Sequence, residues 1–214
     1  IHALFIDNNG IKWLMTEKGL VKFNGVDIEV FDERHGLFVN RDVGNGSATR
    51  AMYIEGGPDN QLALGFHNIG ISIFNGSNFI NYDIDDGLID LRIRGVDFDS
   101  DGNLWVGSEG SGVFMFDGQN FRRYTTKDGV ANPEIFHLFV DDFDKVWVGT
   151  WGGGVGFYDG EVWGSLDMRD GLIGNTISSL TSSGGNTYYF AGQNMSYGIS
   201  KYMPSNSSGI TQVK

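Results

Sequence analysis

Cysteine is absent from the 214 residues, so neither a disulfide framework nor a thiolate metal site is available, and the redox compartment leaves no trace. Proline is nearly absent too, 3 residues against 33 glycines, which excludes proline-rich linkers and collagen-like chains and leaves many tight turns. No apolar run approaches the roughly eighteen residues that a membrane-crossing helix needs, so no membrane insertion by this segment is expected. Cations are outnumbered, 15 Lys and Arg against 27 Asp and Glu, for a net charge of −12. That balance argues against nucleic acid as a partner, because phosphate binding needs a basic face to release counterions. The chain starts at Ile1 without a basic n-region, an apolar h-region or an initiator Met, as expected of a processed or excised piece.

What is present points to a packed core. Hydrophobic residues make up 40% of the chain, with Phe 16, Tyr 8 and Trp 5, enough apolar surface for one domain over residues 1–214. Self-comparison supplies the organisation. The segment from Asp99 overlays the one from Asp141, with Trp105 on Trp147, Gly107 on Gly149, Asp117-Gly118 on Asp159-Gly160 and Asp128-Gly129 on Asp170-Gly171, about 42 residues apart. The frame extends back through Asn75-Gly76 and Asp86-Gly87, with Ala63 in place of Trp, and to Asp7, Trp13, Asn24-Gly25 and His35-Gly36. A fifth copy, around Tyr188 and Phe190, lacks the Asp-Gly turn. The repeats fall near 1–49, 50–91, 92–134, 135–175 and 176–214.

Each repeat reads as four strands. In the fourth they span Ile135 to Val140, Val146 to Trp151, Gly154 to Tyr158 and Val162 to Leu166, with Asp-Gly as a type I′ hairpin turn between the last two. One such sheet cannot bury both faces unless like neighbours stack on it around an axis, so the fold class is an all-β propeller of four-stranded blades. Five repeats make a closed five-bladed ring the simplest reading and a five-blade part of a larger propeller its rival.

The residues Asp99, Gly102, Leu104, Trp105, Val106 and Gly107, followed in the next repeat by Trp147 to Thr150, Gly153 to Val155, Tyr158 to Gly160 and Asp170 to Leu172, resemble the two-component regulator propeller repeat. The resemblance covers nearly the whole chain and is weakest in repeats two and five. It implies the extracytoplasmic sensor part of a bacterial hybrid histidine kinase responding to glycan breakdown products, hence a periplasmic or extracellular location. Members usually carry more blades, and no kinase or DNA-binding segment is found here. The repeat implies fold and not ligand.

Among candidate sites, Asp99-Ser100-Asp101-Gly102-Asn103 looks like the opening of a calcium loop. Its counterparts at Asp7 and Asp141 lack a downstream Glu, which favours Asx-type turns. Trp13, Trp105 and Trp147 recur at one strand position and are expected in the core. Trp163 is assigned to the solvent edge, and Trp151 to a glycine-rich loop open to a ligand. His2, His35, His67 and His137 have no metal-ligand spacing, so no metal is expected, and no cofactor either.

Function in propellers concentrates where the loops between second and third strands meet the crossovers to the next blade. The residues there that do not repeat are the ligand candidates: Arg50, Arg92, Arg94, Glu109, Glu134, Trp151, His67 and Asn194. Three arginines in an acidic chain suit carboxylates, sulfates or vicinal hydroxyls, or they pair with Glu134, Asp97 or Glu109 as rim ion pairs. The expected function is non-catalytic binding of a small-molecule or oligosaccharide ligand. A protein-docking scaffold, with the loop from Phe38 to Thr49 as contact, is the second reading. A five-bladed glycoside hydrolase is the third, and it would need two carboxylates across the axial pocket, with Glu109, Glu134 and Glu17 as the candidates.

Overall fold

Strand formation follows the repeat closely in the computed structural model, which describes residues 1–38, 51–193, 198–204 and 209–213. Blade one comprises β1 (Ala3–Ile6), β2 (Lys12–Thr16), β3 (Gly19–Phe23) and β4 (Ile28–Phe31); blade two comprises β5 (Ala51–Gly56), β6 (Leu62–Phe66), β7 (Gly70–Phe74) and β8 (Phe79–Tyr82). Blade three holds β9 (Ile93–Phe98), β10 (Leu104–Ser108), β11 (Gly112–Phe116) and β12 (Phe121–Tyr124), and blade four β13 (Ile135–Val140), β14 (Val146–Thr150), β15 (Val155–Tyr158) and β16 (Trp163–Leu166). Blade five holds β17 (Ile177–Ser182), β18 (Tyr188–Gly192), β19 (Gly198–Tyr202) and β20 (Ile210–Val213). Every sheet is antiparallel and keeps chain order from its first strand to its fourth. First strands pack on one another in the order β1, β5, β9, β13, β17.

Four apolar clusters lie between consecutive blades. Trp13, Trp105 and Trp147 each sit in one of them at 5%, 4% and 1% exposure. Their indole N–H groups donate to the aspartates that open the turn before their strands: Trp13 Nε1 to Asp7 at 3.1 Å, Trp105 to Asp99 at 2.8 Å and Trp147 to Asp141 at 2.7 Å. The same carboxylates accept turn amides, Ile11, Asn103 and Lys145 among them. The oxygens that suggested a calcium loop at Asp99 are therefore spent on an Asx-type turn that also satisfies a buried indole, an arrangement found in blades one, three and four.

The glycine after the Trp-Val pair has a definite cause. A Cβ at Gly107 would lie 2.8 Å from Ile135 of the next blade, and one at Gly149 would lie 2.6 Å from the Ile177 carbonyl oxygen. Only glycine lets the first strand of the following blade approach that closely.

Two local readings change. Between third and fourth strands only the glycine of Asp-Gly or Asn-Gly has positive φ, so the turn is not type I′. Instead Asp117 accepts the amides of Gln119 and Asn120 at 2.8 and 2.7 Å, and Asp159 those of Glu161 and Val162. A side-chain acceptor here replaces the second left-handed residue. The second turn is a single 3₁₀ turn with a reciprocal cap: Asp32, Asp83 and Asp167 open it and His35, Asp86 and Asp170 answer, each before a left-handed glycine. Trp163 also departs from expectation. It is half-buried against Tyr124 and Tyr158 at 5.8 and 5.4 Å, part of the packing between blades three and four rather than of the solvent edge.

Candidate functional site

A bulge in the first strand of blades two to five shapes the axial mouth. The register slips at Met52, Arg94, Phe136 and Ser178, and an extra residue there re-aims its side chain. Arg94 is thereby brought to Glu109, donating from Nε at 2.8 Å and from Nη2 to the same oxygen. Phe136 meets Trp151 edge-on at 5.4 Å, and Trp151 stays 44% exposed.

Loops of blades two, three and four are tied together beside this mouth. His67 pairs with Arg92 and Glu109 with Glu134 in isolated β-bridges, and the Trp151 amide donates to the Glu134 carbonyl at 3.0 Å. Glu109 is the hub: His67 Nε2 lies 3.6 Å and Arg92 Nη1 4.0 Å from its carboxylate. Burial alone would push the Glu109 carboxyl up, but the bonds and charges of Arg94, Arg92 and His67 outweigh it and hold the group below the usual range. Arg92 donates to the buried Asp90 at 3.2 and 3.3 Å, and that bond raises its own pKa further.

Six of the eight sequence candidates, His67, Arg92, Arg94, Glu109, Glu134 and Trp151, thus share one rim, while Arg50 and Asn194 lie outside the described residues, as does the loop after Phe38. The arginine partners are Glu109 and Asp90. Asp97, one of the expected partners, instead accepts the Val140 amide across the blade interface at 2.7 Å and its neighbour Phe98's amide at 2.8 Å. The locally positive mouth becomes a nearly balanced ionic cluster, with Arg92 still half exposed.

The residues that sequence reasoning missed lie deeper. First strands of blades one to four line a partly open axial cavity of about 220 Å³, with Tyr53, Glu55, His137 and Phe139 among its walls. Glu55 and Asp97 occupy the strand position that Phe5 and Phe139 fill in blades one and four. Burial, with the charge of Asp97 adding to it, raises the Glu55 carboxyl to about 7. Burial likewise raises Asp97 to about 6, against the pull of the Val140 and Phe98 amides. Burial lowers the His137 pKa, and its Nδ1 is enclosed without a hydrogen-bond partner among the described residues.

Both carboxyls bind protons more tightly folded than unfolded. Their contribution to stability is therefore complete below about pH 4 and is lost as pH rises through about 6 to 7. Glu55→Gln is expected to stabilise the chain at pH 8 by on the order of 2 kcal/mol and to change little at pH 4. Urea denaturation at the two pH values checks this, and an equal effect at both would contradict it.

Five chain-ordered four-stranded sheets with their first strands side by side define a propeller-like all-β protein. Residues 87–110 match the family described as two component regulator propeller, so the chain carries that repeat. Among solved structures, the extracellular domain of a protein described as a hybrid two-component system from B. thetaiotaomicron superposes with TM-score 0.77 at 17% identity, over 99% of this chain and 28% of that one. Virginiamycin B lyase from Staphylococcus aureus gives 0.73 at 11% identity, over 99% of this chain and 68% of that one. PorZ, a surface component of the type-IX secretion system of Porphyromonas gingivalis, gives 0.68 at 17%, over 100% and 34%. The chain thus spans about a quarter of the B. thetaiotaomicron domain. No curated protein matches the sequence. No described helix is long and apolar enough to cross a membrane.

Proposed function

We propose that the protein is a non-catalytic ligand-binding propeller, the sensing part of an extracytoplasmic receptor, that takes a polyhydroxylated or anionic glycan at the rim formed by blades two to four. The observation that carries this is the convergence of His67, Arg92, Glu109 and Trp151 from the loops of three different blades with Arg94 from the bulge of β9. Such a cluster offers guanidinium donors, a carboxylate acceptor and an exposed indole on one surface, the mixture that hydroxyl-rich rings require. A catalytic reading is less well supported. Two arginines hold Glu109 ionised, which unsuits it as a general acid, and both oxygens of Asp97 already accept backbone amides. Periplasmic or extracellular placement rests on the repeat and on the B. thetaiotaomicron domain. A thermal-shift screen against neutral and acidic oligosaccharides tests the reading: one glycan class should raise the melting temperature by mass action, and Arg92→Ala should abolish the shift. No shift with any sugar would favour the protein-docking scaffold.

The ring is proposed to be completed by further blades of the same kind, not by β17 meeting β1. The second residue of β1, Leu4, is 54% exposed, whereas its register equivalents Ile54, Val96, Leu138 and Leu180, each facing the preceding blade, are at 5, 2, 3 and 2%. Ile28 at the start of β4 is 69% exposed and its equivalent Phe79 is buried. At the other end Ile199 and Val213 of blade five are similarly uncovered. Apolar residues uncovered on the outer face of the first blade and on that of the last fit an arc whose neighbours are blades.

A further inference from the structure

The cations of the rim cluster are already paired, and the pairing decides what the cluster can hold. Arg92 lays Nε and Nη2 on the two oxygens of Asp90 at 3.2 and 3.3 Å, and Asp90 is only 8% exposed. Gly110 makes room for that pair, since a Cβ there would lie 2.8 Å from Arg92 Nη2. Arg94 gives Nε and Nη2 to Glu109 and also meets the Tyr53 phenol. A planar anion binds a guanidinium best through two parallel N–H groups on one edge. On both arginines the Nε–Nη2 edge is filled by a carboxylate of the chain itself. Glu134 acts on Arg92 as a third acid beside Asp90 and Glu109, so the two guanidinium groups face three carboxylates. All of these groups lie in blades two to four, which pack on blades one and five at either side, so completing the ring leaves their pairing unchanged.

A polar gap remains between the two pairs. Arg92 Nη1 and Glu109 Oε1 face each other at 4.0 Å, too far for a hydrogen bond, on side chains 47% and 29% exposed. The gap admits one oxygen about 2.8 Å from each, and that oxygen must accept from the guanidinium and donate to the carboxylate. A hydroxyl does both, whereas an ionised carboxylate or sulfate has no proton to give. On the neighbouring blade Trp151, met edge-on by Phe136 and followed by three glycines, offers an exposed indole to the apolar face of a sugar ring. We infer that the rim selects an uncharged oligosaccharide and rejects acidic ones, a sugar hydroxyl bridging Arg92 Nη1 and Glu109 Oε1 while a neighbouring ring stacks on Trp151. This deepens the glycan reading of the rim and rests on it. An acidic sugar would find both guanidinium edges closed and its own charge set against Glu109 and Glu134, a juxtaposition that lowers affinity.

The test is isothermal titration of the full chain with matched neutral and acidic trisaccharides: mannotriose with trimannuronate, galactotriose with trigalacturonate, and cellotriose with triglucuronate. The expected result is that at least one neutral sugar binds and that its acidic partner is weaker by about tenfold or more. Glu109→Gln, which removes one negative charge and loosens the hold on Arg94, should narrow that ratio by strengthening the acidic partner. An acidic sugar that binds as well as its neutral partner would overturn the selectivity and leave the glycan reading standing. Binding by none of these sugars would count against the glycan reading itself, and the inference would fall with it. A folded Glu109→Gln with an unchanged ratio would remove Glu109 from the selection and overturn the bridge. Should that variant fail to fold, the comparison within each pair on the wild-type chain decides alone.

Discussion

Asp141→Ala is expected to destabilise the chain by about 3–5 kcal/mol, since this one carboxylate holds several buried donors at once. Its Oδ2 accepts the indole N–H of Trp147 at 2.7 Å and the phenol of Tyr188 in the next blade at 2.6 Å, while Oδ1 accepts the amides of Phe143 and Lys145 at 2.9 and 3.0 Å. Trp147 and Tyr188 are almost completely buried, and their rings pack at 4.3 Å between blades four and five. Removing the acceptor strands the Trp147 indole N–H, at roughly 1–3 kcal/mol, leaves the Tyr188 hydroxyl only its longer bond to Asn186 Oδ1 at 3.2 Å, and loosens the turn. Asp7→Ala in blade one is the control. Asp7 accepts Trp13 at 3.1 Å but, among the described residues, no tyrosine from a neighbouring blade, so the expected loss is smaller, about 1–2 kcal/mol. Urea denaturation midpoints compare the two, and equal losses would show that the bond to Tyr188 contributes nothing.

That asymmetry also shows which parts of the molecule the sequence exposes to reading. The strands of blade four are legible almost to the residue, because β-branched and aromatic runs there are punctuated by glycine and aspartate at fixed offsets. Trp105 and Trp147 are legible as core because they recur. The Asp–Trp hydrogen bond is not: the pairing of Asp99 with Trp105 can be seen as a spacing, but a turn aspartate and a core tryptophan look like separate features until the strand folds back. Arg94 is legible at the entry to its first strand, with Glu109 among its possible partners, but the bulge that joins the two leaves no composition signal of its own. Glu55 and Asp97 could have been found by reading one column across the repeats, since Phe5, Phe139 and Thr181 hold that column elsewhere and a carboxylate in an inner strand is the exception. Repetition reveals scaffold, and the departures from it mark the places where the scaffold is put to use.

Leu138→Ala and Leu4→Ala separate the arc from the closed ring. The two leucines hold the same strand position, pairing with Val148 and Leu14 in the middle of their second strands. Leu138 is buried in the cluster between blades three and four with Trp105, Val113 and Val148. Its truncation removes buried methyl groups from a packed interface and leaves a cavity, for an expected loss of about 2–4 kcal/mol. Leu4, more than half exposed on the uncovered face of blade one, should cost within about 0.5 kcal/mol. A five-blade ring closed in solution would instead bury Leu4 against blade five, and its truncation would then cost as much as that of Leu138. Denaturation of the two variants gives opposite answers for the two architectures. A nearly silent Leu4 beside a costly Leu138 leaves blade one with a finished interface on one side only, the condition under which another blade of the same repeat can be added without repacking the first.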